Sequence, residues 1–280
     1  MTSAYFMKRI TRLCLLAACA TVAACVTPAQ RADKLATELE LSRSVAIGTP
    51  YKHLLYFKPG GNGSKTLHVY IEHDGTPWLT TNRISPDPTP RNLVMLNLMA
   101  LDSSPVVYLG RPCYFALEGS PPCSPLLWTH RRYAEEVVTS MESALRTVLA
   151  TNQYRHLAFF GHSGGGVLAM LLAERFPETA AVVTLGANLD TEAWANLHGY
   201  SPLAGSLNPA TRPPLPEHIF QRHYVGEQDV NTPPYILRSM AASRAGMIIN
   251  EVEGFDHACC WSRLWKTVLT EIDNERHKLK

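Results

Sequence analysis

Leu157-Ala158-Phe159-Phe160-Gly161-His162-Ser163-Gly164-Gly165-Gly166-Val167 is the stretch on which the reading of this 280-residue chain turns. Four apolar residues make a short buried-strand run, and beyond the glycines Val167 to Arg175 is apolar enough for a packed helix. Between them lies a Gly-x-Ser-x-Gly pattern. A turn that tight forces its central residue into a strained backbone, and the residues two before and two after it must lack bulk, as Gly161 and Gly165 do. Ser163 is thereby lifted clear of the strand at a helix N-terminus, where free amides favour developing negative charge. It is the candidate nucleophile.

Outward from this stretch, strand-like and helix-like runs alternate. Leu67 to Glu72, Pro105 to Leu109, Ala181 to Leu185, Ile219 to Val225 and Met247 to Val252 read as strands. Arg91 to Ala100, the face Tyr133, Val137, Met141, Leu145 and Val148, Pro234 to Ala245 and the run from Cys260 read as helices. Such alternation predicts an α/β domain, a mainly parallel sheet with helices on both faces, over residues 51–280. Ligands of such sheets bind beyond the carboxyl ends of the strands, so the chemistry is expected on the loops that follow them. Residues 188–217, with five prolines, exceed an ordinary connection and are expected to form a lid or cap insertion. There Trp194, Leu197, Tyr200 and Leu203 suggest an apolar acyl pocket, although such spacing also suits simple packing.

The strand, Gly161-His162-Ser163-Gly164-Gly165 elbow and helix, together with loops at His73, Asp229 and His257, resemble the α/β-hydrolase superfamily over about residues 52 to 275. The resemblance implies a Ser, acid, His order along the chain, with the His after the last strand. Asp229, in Gly226-Glu227-Gln228-Asp229, and His257, in Glu253-Gly254-Phe255-Asp256-His257, occupy those places. Asp190 is the alternative acid; His223 and His198 are weaker alternatives for the base, and Asp256 is expected to stabilise its own loop. An oxyanion hole needs two amides. Gly164 supplies one, and the loop His73-Asp74-Gly75-Thr76-Pro77, which resembles the oxyanion loop of the superfamily, supplies the other from Gly75 or Thr76. Arg111, Trp128 and Arg132 read as packing or rim residues. No Cys or His cluster has metal-ligand spacing, and no cofactor or metal is expected.

Composition excludes other classes. With 46% hydrophobic and 18% charged side chains the chain is neither disordered nor fibrous. Its 26 basic and 24 acidic residues include Lys8, Arg9 and Arg12, without which the balance is 23 against 24. That leaves no electrostatic footprint for nucleic acid.

Those three charges precede an apolar run, Leu13 to Ala24, too short to span a bilayer and suited to a signal segment over 1–24. It ends at Val22-Ala23-Ala24-Cys25, which resembles the lipobox of bacterial lipoproteins. Cys25 is the expected lipidation site, since Cys19 would leave too short an apolar middle. Val26 after it points to the outer membrane, with the lipid as the link to the bilayer. Residues 25–50 are expected to be tether and lead-in, with a weak helical stretch at Arg31 to Leu41. Four cysteines then remain. Cys113 with Cys123 is the easiest disulfide, and Cys259 with Cys260 forms a vicinal pair or stays reduced; four free thiols are the alternative.

The expected function is a serine hydrolase cleaving small-molecule carboxylic esters or thioesters through an acyl-enzyme on Ser163. The alternatives are an acyltransferase or peptidase on the same triad, and a catalytically silent ligand-binding lipoprotein.

Overall fold

The computed structural model describes residues 26–61, 63–117, 121–244 and 246–278, the last four by backbone alone. The expected signal segment over 1–24 and the expected lipidation site at Cys25 lie outside the described residues. In chain order the elements are α1 (Pro28–Glu38), β1 (Ser42–Ile47), β2 (Lys52–Lys58), β3 (Thr66–Ile71), β4 (Trp78–Thr80), β5 (Arg83–Ile84), α2 (Val94–Ala100) and β6 (Val106–Leu109). Then follow α3 (Glu135–Ala150), β7 (His156–His162), α4 (Gly164–Ala173), β8 (Thr179–Leu185), α5 (Thr191–Leu197), β9 (Phe220–Gly226), α6 (Pro234–Ala241), β10 (Ile249–Val252) and α7 (Ser262–Lys278).

One sheet runs β1-β2-β6-β3-β7-β8-β9-β10, with β4 and β5 a separate small hairpin. From β6 to β10 every pairing is parallel; β2 alone is reversed, pairing antiparallel to both β1 and β6. The sheet is covered on both faces, as its side-chain alternation shows. Phe159 meets Phe176 just beyond α4, while its neighbour Phe160 meets Trp265 of α7, and consecutive strand residues point to opposite sides. The strands β3 and β6 are buried along their whole length, which is why they read as near-continuous apolar runs.

Registers Ile71↔Gly161, His162↔Leu185, Leu185↔Tyr224 and Val252↔Gly226 bring the carboxyl ends of β3, β7, β8, β9 and β10 to one edge. The loops after them, not the strands, therefore share a rim.

Two expectations change. Residues 25–50 are not mainly a tether. Thr27 caps α1 in a reciprocal box with Gln30, Pro28 opens the helix, Ala32 and Ala36 are buried, and β1 is the outer strand of the sheet. β1 exposes every residue except Ala46, so its polar character hid it. Residues 188–217 contain α5, capped by Asp190, and a 3-10 turn at Pro209–Thr211. The insertion is fastened to the segment before α3: Tyr133 N–H donates to Ser206 Oγ (3.1 Å), Leu207 N–H to the Tyr133 carbonyl (3.0 Å), and Ser206 Oγ–H to the His130 carbonyl (2.7 Å).

Cys113 and Cys123 form a disulfide, and Cys259 pairs with Cys260.

Candidate active site

Ser163 stands between β7 and α4 with φ 52° and ψ −124°, a left-handed backbone that a residue with a side chain takes only under constraint from its surroundings. The constraint is visible. A methyl group on Gly161 would run into the Gly165 main chain, and one on Gly165 into the Ile71 carbonyl, so the elbow closes only with glycine at both places. Ser163 N–H donates to the Leu185 carbonyl (2.8 Å), tying the elbow to the end of β8.

His257 reaches this elbow from the loop after β10, and three contacts fix it. Its Nδ1 hydrogen-bonds Asp229 Oδ2 (2.8 Å). Its carbonyl accepts from Nε2 of His162, the residue before the serine (2.7 Å), with the two rings 5.1 Å apart. Its ring also faces Gly186, the residue after the one that binds Ser163 N–H. Since Nδ1 donates to the carboxylate, Nε2 is left as the acceptor. Asp229 is buried, and its other oxygen accepts the N–H groups of Asn231 (2.9 Å) and Thr232 (2.7 Å), which fixes the carboxylate before it fixes the ring. Among the described residues the Ser163 hydroxyl closes no hydrogen bond, and such contacts often tighten only with substrate bound.

The alternatives are occupied elsewhere. Asp190 caps α5, accepting from Ala193 N–H (3.0 Å) and Asn208 Nδ2 (3.3 Å). His223 is buried against Thr184 (2.9 Å), and His198 donates to the Asn231 carbonyl (2.8 Å). Asp256 accepts the N–H groups of Ala258 and Cys259, a cap on its own loop.

Around the loop after β3 the structure departs from expectation. Gly75 N–H is spent on His73 Nδ1 (3.0 Å) and Thr76 N–H on the Pro88 carbonyl (3.0 Å), so neither expected oxyanion amide is free. Arg111 and Arg132 are not rim residues. Both are buried against Asp74, Arg111 Nη2 at 2.7 Å from Oδ1 and Arg132 Nη1 at 2.9 Å from Oδ2, and Tyr133 donates to Oδ2 (2.7 Å). Trp128 does pack, its Nε1 donating to the Ser85 carbonyl (3.0 Å). Burial alone would raise the Asp74 carboxyl, but the two guanidiniums hold it well below the usual carboxylate range. No motif in the sequence pairs Asp74 with arginines 37 and 58 residues away; the only signal was buried charge beside an apolar strand end.

Beneath the elbow lies Glu72. Burial pushes its carboxyl up to about 8, although the amides of His73, Met95 and Leu96 and the Arg111 charge pull the other way. Burial also keeps His162 well below the ordinary histidine range, and its Nδ1, 4.0 Å from Glu72 Oε1, makes no hydrogen bond. Glu72, His73 and His162 present one ligand atom each within 4.8 Å of one another. They are a poor cation site: His73 Nε2 already donates to the Asn92 carbonyl (2.7 Å), and the Arg111 guanidinium stands beside Glu72.

The expected acyl-pocket residues divide. Trp194 turns inward and donates to Asn231 Oδ1 (2.9 Å), Leu203 packs against the core, and Leu197 and Tyr200 face solvent. A hollow of about 330 Å³ lined by Leu149, Tyr154, Arg155 and His156 lies at the amino end of β7, away from Ser163.

The eight-stranded sheet with its elbow after β7 has close counterparts among solved structures. This is the α/β-hydrolase fold. A bacterial membrane phospholipase A superposes with a TM-score of 0.61 at 16% identity, over 96% of this chain and 99% of that one. An esterase from Pyrococcus furiosus does so with a TM-score of 0.59 at 9% identity, over 84% and 92%. A puromycin hydrolase matches at 0.60 and 16%, over 85% of this chain but 39% of its own. No protein-family model matches the sequence, and a search of curated proteins finds no relative. At these identities the likeness establishes the α/β-hydrolase fold alone, and the chemistry rests on the site.

Proposed function

We propose that this chain is a serine hydrolase that cleaves small-molecule carboxylic esters or thioesters. The observation that carries the reading is the Asp229–His257 pair set against the strained Ser163 elbow by contacts from His162 and Gly186. His257 Nε2 takes the Ser163 proton as Oγ attacks the acyl carbon, and Asp229 holds the ring in the required tautomer and stabilises the imidazolium. The oxyanion faces the free Gly164 amide and a second amide from the loop after β3. His257 then returns the proton to the departing alcohol or thiol. Water, deprotonated by the same nitrogen, releases the acid and restores Ser163.

The names of the structural neighbours, a phospholipase, an esterase and a puromycin hydrolase, agree with an acyl-transfer reading without choosing a substrate. The test is labelling with a fluorophosphonate followed by a chain-length series of esters. An adduct on Ser163 that is absent from Ser163→Ala, with ester turnover in the wild type, is the expected result. Absence of any adduct on the folded protein would sink the reading in favour of a silent binding protein. Products formed with added alcohols or amines separate a hydrolase from an acyltransferase, and peptide substrates test for a peptidase.

The same proposal places the protein in a bacterial envelope, lipid-anchored at Cys25. Palmitate incorporation lost in Cys25→Ala and kept in Cys19→Ala is expected; the reverse would overturn the assignment. The 188–217 insertion is proposed as a wall over the site, pinned at Ser206 and Leu207.

A further inference from the structure

The loop after β3 leaves an oxyanion hole one donor short. Gly164 N–H is free at the start of α4, but the amides of Gly75 and Thr76 are spent within their own loop. Among the described residues, the Asp74 N–H is taken by no acceptor. Asp74 is also the residue of that loop which lies against the elbow: a methyl group built on Gly164 would strike its carboxylate and the Tyr133 hydroxyl. Everything else about Asp74 is held. Arg111 and Arg132 grip its two oxygens at 2.7 and 2.9 Å, Tyr133 donates to Oδ2 at 2.7 Å, and Tyr114 donates to its main-chain carbonyl at 2.9 Å. Arg111 in turn is sandwiched by the Tyr114 and Tyr133 rings, at 5.7 and 5.6 Å from its guanidinium carbon.

Two buried guanidiniums on one carboxylate are more than charge balance requires. A buried ion pair of this kind is poor evidence for stability, since an apolar packing of the same volume often does as well. Its distinguishing property is geometric: with a separate guanidinium on each oxygen, the carboxylate is fixed from two directions. We propose that Arg111 and Arg132, with Tyr114 and Tyr133, are positioning residues that hold Asp74 so that its main-chain N–H completes the oxyanion hole opposite Gly164. The net positive charge of the cluster adds a favourable field where the oxyanion forms, without touching substrate. No bond of the reaction passes through these side chains. The proposal rests on the serine-hydrolase reading and specifies the origin of its second donor.

The test uses variants that loosen the grip while leaving the Asp74 amide in the chain. Arg132→Met removes one charged donor, Arg132→Lys keeps the charge and loses the Nε anchor on the Thr129 carbonyl, and Tyr133→Phe removes a single hydroxyl, the least disruptive of the three. Steady-state kinetics on p-nitrophenyl esters are compared with inhibition by a trifluoromethyl ketone, whose adduct carries the oxyanion. Losing one oxyanion donor lowers kcat about 10²–10³-fold. Arg132→Met is expected to approach that loss with KM within about twofold, Tyr133→Phe to lose roughly tenfold, and Arg132→Lys to recover part of the Met deficit. Ketone affinity should weaken in step with kcat/KM, since transition-state mimics follow the transition state. A purely structural role would lower the amount of active protein, counted by fluorophosphonate titration, and leave kcat per active site and ketone affinity alone. If Arg132→Met fails to fold, Tyr133→Phe carries the decision. Normal kcat and ketone affinity in Tyr133→Phe and Arg132→Lys, in protein that labels at Ser163, overturn this inference and spare the hydrolase reading. No labelling of the wild type overturns both.

Discussion

At the level of single residues, the site is built from groups whose surroundings leave them one role each. Asp229 spends one oxygen on the amides of Asn231 and Thr232 and the other on His257, so its place is to orient the ring. Asp229→Asn, which presents the wrong tautomer partner, is expected to lower kcat by about 10⁴ in protein that thermal unfolding shows to be folded. Glu72 gives a prediction of different kind. Its folded value of about 8 stands above its ordinary 4.5, so between those pH values the folded chain keeps a proton that the unfolded chain has released. Stability from this group is therefore full at low pH and is lost as pH rises through that window. Glu72→Gln, neutral throughout, should match the wild type near pH 5 and melt higher than it near pH 8.5, read by thermal scans across pH; a parallel offset at all pH values would refute the assignment. The loops that carry Ser163, Asp229 and His257 were legible, because they follow strands in a fixed order. Asp74, Arg111 and Arg132 were not, because a buried ion cluster drawn from three loops leaves no spacing in the sequence.

The secondary-structure elements show the same division. β7, α4, β8 and β9 lie close to where apolar runs place them, as burial on both sheet faces makes such strands plain in the sequence. β1 and α1 were not recognised as part of the fold, since an outer strand with one buried residue and a helix buried through two alanines carry almost no hydrophobic signal. α5 fell within a proline-rich insertion whose composition suggests loop, yet Asp190 caps it with a clear acceptor. That cap separates the two acids. Asp190→Ala is expected to cost about 1 kcal/mol in denaturant unfolding and to leave kcat unchanged, against the large kinetic loss and small stability loss of Asp229→Asn. If Asp190→Ala instead abolished turnover in stable protein, the triad acid would have been misplaced.

Across the whole molecule, the Cys113–Cys123 disulfide and the loop that lies against the Ser163 elbow are joined. The bridge closes a loop that begins one residue before Tyr114, whose hydroxyl holds the Asp74 carbonyl. Chain-entropy arguments give such a closure about 3 kcal/mol. Replacing Cys113 and Cys123 by alanine should lower the unfolding free energy by roughly that amount, and should lower kcat more than KM changes, measured on the same ester series. Four cysteines among the described residues permit three pairings, and the structure has the one that the short Cys113–Cys123 loop favoured, with Cys259 and Cys260 left to each other. His257, the proposed base, stands on the loop after β10, the last strand in chain order, 94 residues beyond Ser163. On the proposed mechanism a ribosome must therefore pass residue 257 before any acyl bond is at risk. Fragments ending before residue 249 should be inert, and turnover restored by adding the missing C-terminal piece in trans would serve as a direct assay for completion of the architecture.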